Sequence, residues 1–173
     1  MQLLSGGYAF CTGSLVNNTA GDCRPYVLTA AHCGAGPSTT VRFNYERPGC
    51  ESGSAPTDQT LTGGTVVASH AGSDFTLLEL DDQVPEDWGV FYNGWRRSGL
   101  LVLESTVLHH PSGDEKSISF DYDPPTITSY SEDASPGDGN YFRIGAWDEA
   151  TTEGGSSGGC LYDSVSKRCV GNL

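Results

Sequence analysis

Apolar residues in this chain come in short runs, each cut off by glycine, proline or a cluster of Asp, Ser and Asn, and that punctuation narrows the fold more than any single motif does. With 23 glycines and 9 prolines in 173 residues, long helices have little uninterrupted chain in which to form. The runs at 8–16, 25–29, 40–45, 64–69 and 75–80 have the length of strands and suit one antiparallel barrel ending near Trp95. A second set follows at 100–110, 117–122, 141–147, 159–162 and 168–173. The chain is therefore expected to be all-β, in two unlike units at 1–95 and 96–173.

Charge and cysteine content remove several classes of function. A net charge of −13, with only 9 Lys and Arg, offers no basic face to nucleic acid or anionic lipid, and no segment has the apolar length of a membrane span. Six cysteines in a chain of this size point to an oxidising, extracellular compartment. Zinc is the competing use of cysteine. No Cys-x-x-Cys pair and no His-Glu-x-x-His motif is present, so no metal or other cofactor is expected.

The stretch Glu153-Gly154-Gly155-Ser156-Ser157-Gly158-Gly159 carries the chemistry. A glycine-flanked serine alone is ordinary loop composition, and Ser156 competes with Ser157 for any special role. Two upstream segments change that weighing. Leu28-Thr29-Ala30-Ala31-His32-Cys33 ends a short strand on a histidine with small neighbours, and Ser73-Asp74-Phe75-Thr76-Leu77-Leu78 opens an apolar strand on an aspartate. A serine hydroxyl is a poor nucleophile near neutral pH until an imidazole takes its proton, and a carboxylate fixes that imidazole's tautomer. His32, Asp74 and Ser157 supply the three roles in that order along the chain. Glycines around the serine let the backbone turn sharply, so the Gly155 and Ser157 amides can converge on an oxyanion, and the Ser156 side chain is expected to point away. For Asp74 the reading further requires a carboxylate that enters the core and finds an imidazole N–H there.

With these segments in view, the chain resembles the chymotrypsin-fold serine peptidases, most closely the secreted bacterial lysyl endopeptidases and their relatives. The resemblance runs through Cys11-Thr12-Gly13-Ser14-Leu15-Val16-Asn17-Asn18-Thr19, residues 28–34 and 73–80, His109-His110-Pro111 through residues 116–119, and 147–159. It implies two antiparallel Greek-key barrels, the second incomplete, with His32 as general base, Asp74 as its orienting partner, Ser157 as nucleophile and the Gly155 and Ser157 amides as the oxyanion hole. It also implies a Cys11–Cys33 disulfide, protein or peptide substrates, no nucleic-acid or membrane partner, and a monomer when complete. Cys160 and Cys169 flank a hairpin and could bridge it, which leaves Cys23 and Cys50 to pair with each other or outside the chain.

Departures from the family pattern matter as well. The residue before the nucleophile, often an aspartate that pairs with a new amino terminus on activation, is Ser156 here, which excludes that ion pair. The sequence stops at Val170-Gly171-Asn172-Leu173, ahead of where the resemblance places a wall of the primary specificity pocket and its lysine-selecting acid. Preference for lysine therefore rests on resemblance, with glutamate-preferring or broader relatives still open, and residues 168–173 are expected to form a bare sheet edge that leaves the chain poorly active. The alternatives from another class are a non-catalytic binding or structural module on the same scaffold and an inactive fragment.

Other features read more plainly. His109-His110 is structural, because neighbouring strand residues face opposite ways and do not share an ion. Trp88, Trp95 and Trp147 are barrel core or cleft wall, and the acidic segment 131–140 is a solvated loop rather than a calcium site.

Overall fold

Gly13 and Gly63 set the architecture of the first half. In the computed structural model, which describes residues 1–50, 52–97, 101–129 and 141–173, eight strands precede Trp88: β1 (Gln2–Ser5), β2 (Tyr8–Thr12), β3 (Ser14–Val16), β4 (Tyr26–Thr29), β5 (Thr40–Arg42), β6 (Thr60–Thr62), β7 (Gly64–His70) and β8 (Phe75–Leu80). They form two antiparallel sheets, ordered β2-β1-β5-β6 and β3-β4-β8-β7. The chain passes directly from β2 into β3 through Gly13 and from β6 into β7 through Gly63. Both outer strands of one sheet thus continue along the chain into outer strands of the other, so the two sheets are joined at two corners. Glycine is required at both corners. A Cβ on Gly13 would lie 2.8 Å from Val27 Cγ1, and Gly63 has φ +104°.

The two sheets share one core of Leu3, Leu15, Val27, Val41, Phe43, Leu78 and Leu80, all buried. On β8, alternation puts Thr76, Leu78 and Leu80 inside. In this half, β1 and β6 are missed by the sequence pattern, as is a later strand at Thr126–Thr128. β1 is four residues with no alternation, and β6 has a single apolar residue between two threonines.

The second half contains β9 (Ser105–His109), β10 (Ser117–Asp121), β11 (Thr126–Thr128), β12 (Tyr141–Arg143), β13 (Cys160–Asp163) and β14 (Arg168–Asn172). Their order is β10-β9-β13-β14, with β11-β12 as a separate pair, and no ring closes among the described residues. The strands expected at 100–110 and 141–147 are shorter than the apolar runs suggest, and the acidic segment 131–140 lies outside the described residues. Strand β14 is the sheet's outer strand but not a bare edge. Cys169 N–H donates to Gly94 O at 2.9 Å and Arg96 N–H to Cys169 O at 2.8 Å, so the connecting segment covers its middle.

Disulfides join Cys11 to Cys33 and Cys160 to Cys169, the latter across the β13–β14 hairpin. Cys23 and Cys50 are free and exposed, so they do not pair with each other. Trp88 packs at 5.3 Å on Phe43 in the core. Trp95, by contrast, is 42% exposed and braces the connection through Nε1–H to Asn17 O at 2.8 Å, rather than filling a barrel. No helix among the described residues is long and apolar enough to cross a membrane.

Candidate active site

His32 stands where β4 runs out. After Thr29 and the fully buried Ala30, a single 3-10 turn, Ala31–Cys33, is closed by Gly34 in the left-handed region at φ 66°. The Cys33 end of that turn is tied to β2 by the disulfide to Cys11. Asp74 closes a second 3-10 turn, Ala71–Ser73, with φ 48° and ψ 46°, a conformation Asp tolerates better than most residues.

The two turns lock onto each other. Ala31 N–H donates to Asp74 O at 3.2 Å and His32 N–H donates to Asp74 Oδ1 at 2.8 Å, while His32 Nδ1 lies 2.6 Å from Asp74 Oδ2. A carboxylate only accepts, so the ring proton sits on Nδ1 and Nε2 is left as the basic nitrogen. The side chains are 52% and 20% exposed, so the carboxylate does not enter the core as the sequence suggested. Its left-handed backbone swings it off the axis of β8 and over the histidine turn instead.

A backbone census defines the segment 153–159. The carbonyls of 153, 154, 155, 156 and 157 accept, in order, from Ser156 N, Ser112 N, Thr12 Oγ1, Gly159 N and Thr12 N. By contrast, the amides of Gly154, Gly155 and Ser157 donate to no acceptor among the described residues. Carbonyls tied back with amides left free make a donor set suited to a developing negative charge. Gly155 sits at φ +94°, and a Cβ there would lie 2.8 Å from His110 O, so no other residue fits without displacement.

This segment is wedged against the histidine turn. A Cβ on Gly158 would fall 2.2 Å from both Thr12 O and Thr29 Oγ1 and 2.9 Å from Ala30 N, two residues before His32. Cys33 Sγ lies 3.8 Å from Ser157 O. The fold thus puts His32 and Asp74 in direct contact and sets half-buried Ser157 on the adjoining backbone, with no side-chain hydrogen bond from its hydroxyl among the described residues. Ser156 turns the other way. It is buried, and its Oγ accepts from Glu153 N at 3.0 Å and lies 2.8 Å from His109 Nδ1.

Three contributors escape the sequence reading. Thr12 Oγ1 donates to Gly155 O at 2.8 Å and accepts from His110 N at 3.0 Å, and Asn172 Nδ2 donates to Asp74 O at 3.0 Å, fastening the second half to the acid's turn. The third is His109, whose ring reaches Ser156 and Ser119. A threonine in a strand and an asparagine near a strand end carry no motif, because their importance lies in contacts more than 90 residues away in sequence. Beside Asp74 and Asn172 opens a groove of about 700 Å³ whose walls include Thr128, Tyr141, Phe142 and Trp147. Leu161 and Val170 of the β13–β14 hairpin also line it.

The ligating atoms of Cys11, His32 and Cys33 lie within 4.8 Å of one another, which is metal-like spacing. Zinc needs thiolates, however, and these sulfurs are bonded to each other. Burial pushes the His109 imidazole below its ordinary value and drives that of His110 down to about 3, so both are neutral at physiological pH.

Comparison with known proteins places these features in context. The family described as lysyl endopeptidase, C-terminal domain, matches residues 1–173. Lysyl endopeptidase of Pseudomonas aeruginosa is 31% identical over 167 residues, an overlap covering 90% of this chain but only 34% of that protein's length. Among solved structures, the thermostable serine protease AL20 from an extremophilic microorganism superposes with a TM-score of 0.61 at 14% identity, over 99% of this chain and 80% of that one. The MamO protease domain from Magnetospirillum magneticum gives 0.60 at 12% identity, over 97% and 79%. At such identities the structural likeness is one of fold: all-β, antiparallel and chymotrypsin-like.

Proposed function

This chain belongs to the lysyl endopeptidase C-terminal-domain family, and from that premise we propose that it is the catalytic part of a serine endopeptidase. His32 is the general base, Asp74 its orienting partner and Ser157 the nucleophile, with the Gly155 and Ser157 amides as the oxyanion hole. The observation that carries this reading is the two-point clamp of Asp74 on His32, one oxygen on the backbone amide and the other on Nδ1, because it leaves Nε2 free to take a proton. The free amides beside Ser157 support the second half of the assignment.

In this mechanism the Ser157 hydroxyl attacks the scissile carbonyl carbon as His32 Nε2 takes its proton. The carbonyl oxygen becomes an oxyanion held by the two amides. Collapse breaks the C–N bond, His32 returns the proton to the departing amine, and an acyl ester remains on Ser157. Water, deprotonated by the same imidazole, hydrolyses that ester and restores the serine. The substrates are proteins or peptides, and the groove beside Asp74 is where their chain would lie. The family and the Pseudomonas relative's name favour cleavage after lysine. The two structural disulfides fit a secreted, extracellular enzyme, working as a monomer of two units at 1–95 and 96–173.

The test is covalent. In the full-length protein, a fluorophosphonate probe labels Ser157, Ser157→Ala abolishes labelling and Ser156→Ala retains a labelled Ser157. Labelling lost only in Ser156→Ala would overturn the assignment. Lysyl amides are hydrolysed in preference to arginyl and glutamyl amides, and preference for a glutamyl substrate would remove the lysine reading while leaving the chemistry.

A further inference from the structure

We infer that His109, which lies outside the triad, is a positioning residue that holds the oxyanion turn in register through Ser156; this rests on the catalytic reading above. The geometry fixes its hydrogen atoms. Ser119 Oγ lies 3.0 Å from Thr151 O, a carbonyl that can only accept, so the Ser119 hydroxyl donates there. Ser119 must then accept from His109 Nε2–H, at 3.0 Å. With one proton on the ring, Nδ1 is the acceptor, and Ser156 Oγ–H donates to it at 2.8 Å. Ser156 Oγ in turn accepts from Glu153 N–H at 3.0 Å, while Ser156 N–H donates to Glu153 O at 3.0 Å. One unbroken, one-directional chain of hydrogen bonds therefore runs from the backbone at Glu153 through Ser156, His109 and Ser119 to the backbone at Thr151.

That chain grips the turn at the residue between the two proposed oxyanion donors, Gly155 and Ser157. An ion pair to an amino terminus has no carboxylate to use at this position, because the residue is Ser156. The neutral imidazole takes over the anchoring, and the buried surroundings favour it. Ser156, Ser119 and His109 are each at most 2% exposed, and burial lowers the imidazole's pKa despite the opposing pull of Glu153. A charged ring would present a donor at Nδ1, and the Ser156 hydroxyl hydrogen would be left buried without a partner. His109 touches no reacting atom. It acts by keeping the Gly155 and Ser157 amides pointed at one place.

Two measurements test this on the full-length protein. Imidazole ¹⁵N NMR of the wild type at pH 7 shows His109 as the neutral Nε2–H tautomer, and an Nδ1–H tautomer or a charged ring overturns the inference. Kinetics then separate positioning from simple support. His109→Phe lowers kcat by roughly 10- to 100-fold with KM nearly unchanged, as a misaimed oxyanion hole requires. Counted per probe-labelled Ser157, that loss persists, whereas His109→Asn, whose carbonyl can accept from Ser156, recovers much of it. Ser156→Ala shows the same kcat-selective loss and serves if His109→Phe does not fold. A labelled wild type whose variants keep kcat within about twofold sinks this inference alone. A wild type that the probe never labels sinks the catalytic reading and this inference with it.

Discussion

At the scale of residues, the site is defined by what each polar atom is already committed to. Asp74 Oδ1 is occupied by the His32 amide, which leaves Oδ2 for the ring. This commitment makes Asp74→Asn a sharp test. The asparagine must keep its carbonyl oxygen on the His32 N–H, so its NH2 faces Nδ1 and forces the ring proton onto Nε2, where no base remains. The expected outcome is a loss in kcat on the order of 10⁴-fold, with circular dichroism unchanged. A loss of less than about tenfold would mean that the ring finds its tautomer without Asp74. Asn172 works one step further out, on the Asp74 carbonyl. Asn172→Ala removes the neutral hydrogen bond to Asp74 O and a longer one to Leu173 O, and is expected to cost about 1 kcal/mol of stability, with a smaller kinetic effect than Asp74→Asn, measured by urea unfolding and amide hydrolysis.

Elements explain why some of this was legible in advance and some was not. His32, Asp74 and Ser157 stand out as candidates in the sequence because each closes or opens a recognisable unit: a strand end, a strand start, a glycine-rich turn. The all-β class followed from glycine and proline punctuation, whereas the passage of the chain between the two first-half sheets at Gly13 and Gly63 is visible only in the structure. What remained hidden was long-range. Thr12, Asn172 and His109 acquire their roles only when β2, β14 and β9 meet the turn at 153–159. The burial of Asp74 was misjudged for a local reason, since a left-handed residue ahead of a strand does not share that strand's inward alternation. The Cys11–Cys33 bridge is the element-level device that keeps the His32 turn against β2, and it closes a separation of 22 residues. Replacing both cysteines by alanine is expected to destabilise the fold by about 3 kcal/mol, from the loop entropy returned to the unfolded chain. Non-reduced peptide mapping checks the pairing itself, and a Cys11 found free would undo this account of the turn.

Over the whole molecule, acid should be the condition that takes this fold apart, and the histidine pair beside the turn at 153–159 is one reason. His110 is buried, its Nδ1–H donates to Asp114 O at 2.9 Å, and its Nε2 has no hydrogen-bond partner among the described residues. Burial lowers its pKa from 6.5 to about 3, so between those values the unfolded chain binds a proton that the folded chain refuses. Stability rises with pH wherever the unfolded state carries more protons, and His110 therefore contributes fully above pH 6.5. The contribution drains away as pH falls towards 3 and then levels off. A shift of this size corresponds to about 5 kcal/mol, and His109 adds in the same direction, since burial lowers its pKa too. The expected result is a urea midpoint that drops steadily from pH 7 to pH 3. His110→Asn keeps a side-chain donor for Asp114 O but cannot titrate, so its midpoint should fall less over the same range even if it begins lower. Parallel curves for the two proteins would show that His110 is charged in the folded state, and that its surroundings beside the turn at 153–159 are more open to water than their packing indicates.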